Sequence, residues 1–256
     1  MPLMTINSQT IFYDHHNQKV AATSPLVLIH GAGGTHLDWP PSLRTLPNRS
    51  VYALDLPGHG RSAGNGYATI AEYRAWLREF VDALALPNFI LAGHSMGAAI
   101  ALDFALTYPQ RLVGLALVGA SAQLRVAPAI LAGIQTDFAA TTASLIELMY
   151  GPTVPPESRQ GYLHQLRETL PALLHADFSA CDGFDVSARL AEIALPTLII
   201  GGRLDRMTPA KQSERLHEQI ANSELHLLAN TGHMVMVEQA VATTQLFAQF
   251  LARIGV

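Results

Sequence analysis

Short runs of consecutive apolar residues alternate along this chain with longer stretches in which apolar positions recur every three or four residues. Residues 10–13, 26–30, 50–55, 89–92, 112–118, 196–201 and 224–228 read as strands. Several are apolar at nearly every position, which implies burial on both faces of a mainly parallel sheet. Residues 70–86 carry Ile70, Tyr73, Leu77, Phe80, Val81 and Leu84 at helical spacing and run up to Pro87. Residues 96–108 are small and apolar nearly all round, as in a buried helix, and Pro109 follows. Residues 209–220 and 240–254 read as further helices. Strands separated by helical segments are the pattern of crossover connections, so the expected class is α/β.

The alternation fails between residues 121 and 192, where helix-like segments are broken at Gly151-Pro152 and Pro155-Pro156 and no strand is evident. This predicts a helical insertion at 121–192 in a core formed by 1–120 and 193–256. The chain has 256 residues, 49% of them hydrophobic, which suits one hydrophobic core carrying an insertion.

Composition narrows the function. A formal net charge of -4, with 14% charged residues, offers no basic face for phosphates, so nucleic acid is not an expected partner. The apolar runs are shorter than the roughly 20 residues needed to span a bilayer. Residues 1–13 lack a basic segment followed by an apolar run and a cleavage site. The expectation is a soluble, cytoplasmic protein without a membrane span. Cys181 is the only cysteine, so neither an intramolecular disulfide nor a thiolate metal cluster can form. Nothing around it resembles a turn that would activate a thiol, and it reads as inert.

Gly93-His94-Ser95-Met96-Gly97 matches G-x-S-x-G and stands directly after a strand and before a helix. So tight a turn requires glycine two residues to either side of the serine and lifts its Oγ above the sheet edge. Ser95 is the candidate nucleophile. It also sits at a helix N-terminus, where free N–H groups favour a developing oxyanion, and the Met96 N–H is the natural first donor. His30-Gly31-Ala32-Gly33-Gly34 follows the strand at 26–30 at the same sheet end. It supplies the second donor, assigned to the Ala32 N–H with Gly33 as the alternative. Taken singly, each glycine cluster is equally a plain turn.

A serine nucleophile needs a base that titrates near neutrality. Among eleven histidines, His233 is favoured because Asn230-Thr231-Gly232-His233 forms a loop after a strand. His164, His175 and His217 lie in helical stretches and are expected to face solvent. His15, His16, His36 and His226 lack a glycine-flanked loop, and no metal-ligand spacing occurs, so neither metal nor cofactor is expected. Gly201-Gly202-Arg203-Leu204-Asp205 places Asp205 just past a strand as the acid that orients the base. The alternative for Asp205 is a helix cap, since it precedes a helical segment with Thr208 and Pro209, but Thr208 alone can cap that helix, which leaves Asp205 free. Asp55, in the segment Asp55-Leu56-Pro57-Gly58-His59-Gly60-Arg61-Ser62, is the rival acid, but it precedes the serine and reads as part of a structural turn.

Through His30-Gly31, Asp55 to Ser62, Gly93 to Gly97, Gly201 to Asp205 and Gly232-His233, the chain resembles the α/β-hydrolase superfamily. Within it, the chain is similar to small carboxylesterases, cofactor-free haloperoxidases or perhydrolases, enol-lactonases and C–C bond hydrolases. The resemblance implies a mostly parallel, twisted eight-stranded sheet flanked by helices, with residues 121–192 as a small helical cap. It implies a Ser95–His233–Asp205 triad cleaving a small or medium ester, and serine at 95 separates the chain from relatives with an aspartate nucleophile. Ala98 departs from the second glycine that many relatives carry there. The expected substrate pocket includes Gly31, Gly33, Leu124, Ile134, Phe138 and Met149, although most of the apolar cap residues read equally as packing the cap onto the core, and scarcity of charge between Leu124 and Met149 favours neutral groups. The same triad would serve a C–C hydrolase or lactonase, and a ligand-binding receptor with slow turnover is the alternative of another class. The expected assembly is a monomer or homodimer.

Overall fold

The computed structural model describes residues 2–16 and 23–255. Met1, part of the stretch read for a targeting signal, lies outside them. Among the described residues, eight strands form one sheet: β1 (Leu3–Ile6), β2 (Gln9–His16), β3 (Leu26–Ile29), β4 (Val51–Leu54), β5 (Phe89–His94), β6 (Leu112–Val118), β7 (Thr197–Gly202) and β8 (Ser223–Leu228). Their spatial order is β1-β2-β4-β3-β5-β6-β7-β8. The β1–β2 and β2–β4 pairs are antiparallel and the remaining pairs parallel. The helices are α1 (Pro41–Arg44), α2 (Ile70–Ala83), α3 (Met96–Thr107), α4 (Pro128–Thr136), α5 (Phe138–Met149), α6 (Pro156–Glu168), α7 (Pro171–Asp182), α8 (Ala210–Gln219), α9 (Val235–Glu238) and α10 (Ala240–Ile254).

The apolar strands are explained by two cores, one on each face of the sheet. Val27 and Ile29 of β3, with Phe89 and Leu91 of β5, point into a core shared with α2, α3 and α8. Leu26, Leu28, Ile90 and Ala92 point to the opposite face, toward α9, α10 and residues of α4–α7. Side chains alternate faces along a strand, so burial on both sides demands apolar residues at every position.

The structure departs from the sequence reading most clearly at β2, which runs on to His16, at the end of α2 and at β1. The helix read as 70–86 ends at Ala83, because Ala85 takes φ 51° and turns the chain out before Pro87. Strand β1 escaped notice because it is an edge strand in which only Ile6 is buried. It joins β2 through Asn7 and Ser8, both at positive φ (49° and 64°), as a tight hairpin requires.

Between β6 and β7 lie α4–α7, where the sequence pattern predicted helices without a strand. Pro128, Pro156 and Pro171 each open a helix, where proline's fixed φ suits the first turn and its missing N–H is not needed. Asp137 caps α5 by accepting the Ala140 N–H. Among the described residues, no helix is long and apolar enough to cross a membrane.

The chain leaves β3 toward β4 on one side and returns to β5 on the other, so the strand order reverses beside β3. The loops after β3 and β5 therefore meet at a topological switch point on the carboxyl edge, the place where open α/β sheets bind ligands.

Candidate active site

Ser95 occupies the junction of β5 and α3 with φ 53° and ψ -114°, a conformation that costs a non-glycine residue about 1–3 kcal/mol and persists only where the surroundings impose it. The glycines around it are forced by contact. A Cβ on Gly93 would lie 2.1 Å from the Gly97 carbonyl oxygen, and one on Gly97 would lie 2.5 Å from the carbonyl oxygens of both Ile29 and His30. The Ser95 N–H donates to the Val118 carbonyl (3.0 Å), anchoring the turn to β6.

The loop after β3 runs alongside, so close that a Cβ on Gly31 would be 3.2 Å from the Ser95 Cβ. The Gly34 N–H closes a turn onto the Gly31 carbonyl (3.1 Å). Gly33 takes φ 64°, and its N–H donates to Asp177 Oδ2 (2.9 Å) in α7. That bond occupies the alternative oxyanion donor and leaves the Ala32 N–H, with the Met96 N–H at the start of α3, as the candidate pair.

Loops after β7 and β8 bring Asp205 and His233 together. His233 Nδ1 lies 2.8 Å from Asp205 Oδ2, and both side chains are buried. The carboxylate is fully engaged: Oδ1 accepts the N–H groups of Met207 and Thr208 (both 2.8 Å), and Oδ2 also accepts the Thr208 hydroxyl (2.8 Å). Burial pushes the Asp205 carboxyl up, but His233 and the Thr208 donors outweigh it and hold it below the ordinary carboxylate value. By its sequence position Thr208 can cap the following helix. Instead its hydroxyl turns inward to the carboxylate, and α8 starts after Pro209 with no side-chain cap.

His94, the variable residue before the serine, supports this arrangement in a way the sequence reading did not anticipate. Its Nε2 donates to the His233 carbonyl (3.0 Å), while the His233 N–H donates to the Met149 carbonyl (2.7 Å), so His233 is gripped from both sides. Burial beside His233 depresses His94 to about 3, keeping it neutral. Burial likewise lowers His30 to about 4, and its Nε2 accepts the Leu56 N–H (3.0 Å). Asp55, the rival acid, faces His36 Nδ1 (2.8 Å) and accepts the N–H groups of His36 and Arg61, bracing its own loop. His164 and His217 are exposed, whereas His175 is half-buried against Ser179.

Ser95 and His233 line one cavity together with Ala32 and the predicted Gly31, Leu124 and Met149. Gly33, Ile134 and Phe138 do not line it, which corrects the sequence reading. Gly33 packs under Leu166 and Leu174, Ile134 is buried in the core between helices and sheet, and Phe138 is half-buried against that core. The walls the sequence reading missed come from Tyr162 of α6, Phe178 and Cys181 of α7, and Met207. Among the described residues, Arg125, exposed in the loop before α4, is the one lysine or arginine on the lining. Burial and the nearby carboxylates of Asp177 and Asp182 push the Cys181 thiol well up, the reverse of activation. Among the described residues, no group of three or more His, Cys, Asp or Glu is placed to hold a metal ion.

Residues 26–246 match the model of a family described as the alpha/beta hydrolase family. The chain is 32% identical to a 2-hydroxy-6-oxo-2,4-heptadienoate hydrolase of Pseudomonas putida, over 91% of each chain. It is 30% identical to a pimeloyl-[acyl-carrier protein] methyl ester esterase of Serratia marcescens, over 89% of this chain and 93% of that protein. A solved structure of a thermophilic esterase superposes with a TM-score of 0.89 at 28% identity, covering 99% of this chain and 98% of that one.

Proposed function

Because this chain belongs to the alpha/beta hydrolase family and is a hydrolase of that fold, we propose that it cleaves small or medium carboxylic esters by acyl transfer through Ser95. The observation that carries this reading is the 2.8 Å contact between His233 Nδ1 and Asp205 Oδ2, on a cavity that Ser95 also lines. A carboxylate there keeps the proton on Nδ1 and leaves the Nε2 lone pair free to accept one from serine.

In the first step Ser95 Oγ attacks the ester carbonyl and its proton passes to His233 Nε2. The carbonyl electron pair moves onto oxygen, where the N–H groups of Ala32 and Met96 stabilise it. The C–O bond to the alcohol then breaks, and His233 returns its proton to the departing oxygen. Water attacks the acyl-serine with His233 again as base, releasing the acid and restoring Ser95. Residues 121–192 serve as a cap whose apolar side chains hold the acyl or alcohol group.

A second reading draws on Arg125 and on the Pseudomonas putida relative, whose named substrate is a 2-hydroxy-6-oxo-dienoate, an anion. The same residues would then hydrolyse a C–C bond beside a carbonyl. The test compares p-nitrophenyl esters of rising acyl length with such a dienoate. Ester turnover with a length optimum is the expected result, and turnover of the dienoate alone would overturn ester cleavage in favour of the second reading.

A further inference from the structure

Asp177 of α7 has no exposed surface and holds together parts of the chain far apart in sequence. Its Oδ1 accepts the Tyr73 hydroxyl of α2 (2.7 Å). Its Oδ2 receives His59 Nε2 from the loop after β4 (2.7 Å) and the Gly33 N–H (2.9 Å). The other ring nitrogen of His59 faces the Pro57 carbonyl at 3.1 Å, so both nitrogens face acceptors and both carry protons. Burial alone would push the His59 ring down, but the Asp177 carboxylate outweighs it and raises the ring above its ordinary value. The result is an ion pair sealed inside the protein.

Taking an unpaired carboxylate into such a place is strongly unfavourable, so the group stays only with its donors around it. One of those donors is the peptide N–H next to Ala32. Gly33 itself has no room to shift toward α6 and α7, since even a Cβ there would fall 2.7 Å from Leu166 and 2.8 Å from Leu174. A loop pinned at the Gly33 N–H and packed on its far side has its preceding peptide fixed as well.

Resting on the acyl-transfer reading above, we propose that Asp177 is a positioning residue. Its carboxylate, held by His59 and Tyr73, pins the Gly33 N–H and thereby aims the Ala32 N–H at the oxyanion. Seating α7 on the core and assembling the oxyanion hole are then one event, which couples the cap to the chemical step.

The test uses Asp177→Ala and Asp177→Asn in the full chain, with kcat expressed per serine titrated by a fluorophosphonate. Each protein's affinity for a trifluoromethyl ketone, which places an oxyanion in the hole, is compared with that for the matching methyl ketone, which does not. Asp177→Ala should lower kcat about 100-fold, on the scale of one lost oxyanion donor, with KM within twofold. Asp177→Asn, whose amide oxygen can still accept the Gly33 N–H without the charge, should lose about three- to tenfold. In each the preference for the fluorinated ketone should shrink in step with kcat. A merely structural role would reduce the titrated fraction and weaken both ketones alike. Wild-type kcat per titrated serine, or an unchanged ketone ratio, in either folded variant would overturn the proposal. If only the asparagine variant folds, its ratio decides. Wild-type protein that binds both ketones equally would contradict the acyl-transfer reading itself, and the proposal with it.

Discussion

Under the proposed acyl transfer, with His233 as base, replacing Asp205 with asparagine separates orientation of that base from everything else the side chain does. Oδ1 accepts two backbone N–H groups, from Met207 and Thr208, and an amide nitrogen cannot take that place. The asparagine oxygen must therefore sit at the Oδ1 position and its NH2 group at Oδ2, facing His233 Nδ1 and the Thr208 hydroxyl. The hydroxyl can turn to accept, and His233 must present a lone pair at Nδ1. Its proton then moves to Nε2, where it blocks uptake of the serine proton. Each hydrogen bond survives with loss of charge, so the stability cost should be about 1–2 kcal/mol. The loss in kcat should be on the order of 10⁴, which is ~5 kcal/mol of transition-state stabilisation. Initial rates on a p-nitrophenyl ester, alongside a denaturation curve, read both quantities. A folded Asp205→Asn protein within tenfold of wild-type kcat would refute the tautomer argument.

Gly97→Ala should destabilise by ~1–3 kcal/mol in urea denaturation, because its Cβ would meet two backbone carbonyl oxygens at 2.5 Å and neither can move aside like a side-chain tip. Gly161→Ala is the opposite case: nothing lies within 4 Å of the added Cβ in α6, and the variant should gain ~0.5–1 kcal/mol, read as a higher Tm. For pH, His94 and His30 are held at about 3 and about 4, below histidine's ordinary ~6.5, so the folded state resists protons that the unfolded chain accepts. Their contribution to stability is intact above pH ~6.5 and is lost as pH falls toward 4. His94→Gln should flatten that slope by up to ~1.4 kcal/mol per pH unit in denaturation curves between pH 7 and 5, and an unchanged slope would contradict it.

What the sequence discloses here is what neighbouring residues decide. Gly93 and Gly97 bracket Ser95 within five positions, and Asp205 and His233 each follow a strand end, so their placement is legible from pattern alone. Thr208 reads as a cap because a threonine before a helix looks like one, and only the folded structure shows a carboxylate competing for its hydroxyl. The cavity walls are hidden for another reason. Whether an apolar residue such as Ile134 or Phe178 faces core or cavity depends on how its helix is rotated against the others, and both are equally hydrophobic. Asp177 lies furthest from view, since its donors Gly33, His59 and Tyr73 stand 144, 118 and 104 residues away.

The most direct test of the central claim is to trap the covalent intermediate. Wild-type protein mixed with a p-nitrophenyl ester and quenched in acid within the first turnover should gain the mass of one acyl group, on the peptide that contains Ser95, and Ser95→Ala should gain none. An adduct on Cys181, the other nucleophile on the cavity wall, or p-nitrophenol released by wild type with no acylated protein at any quench time, would contradict acyl transfer through Ser95.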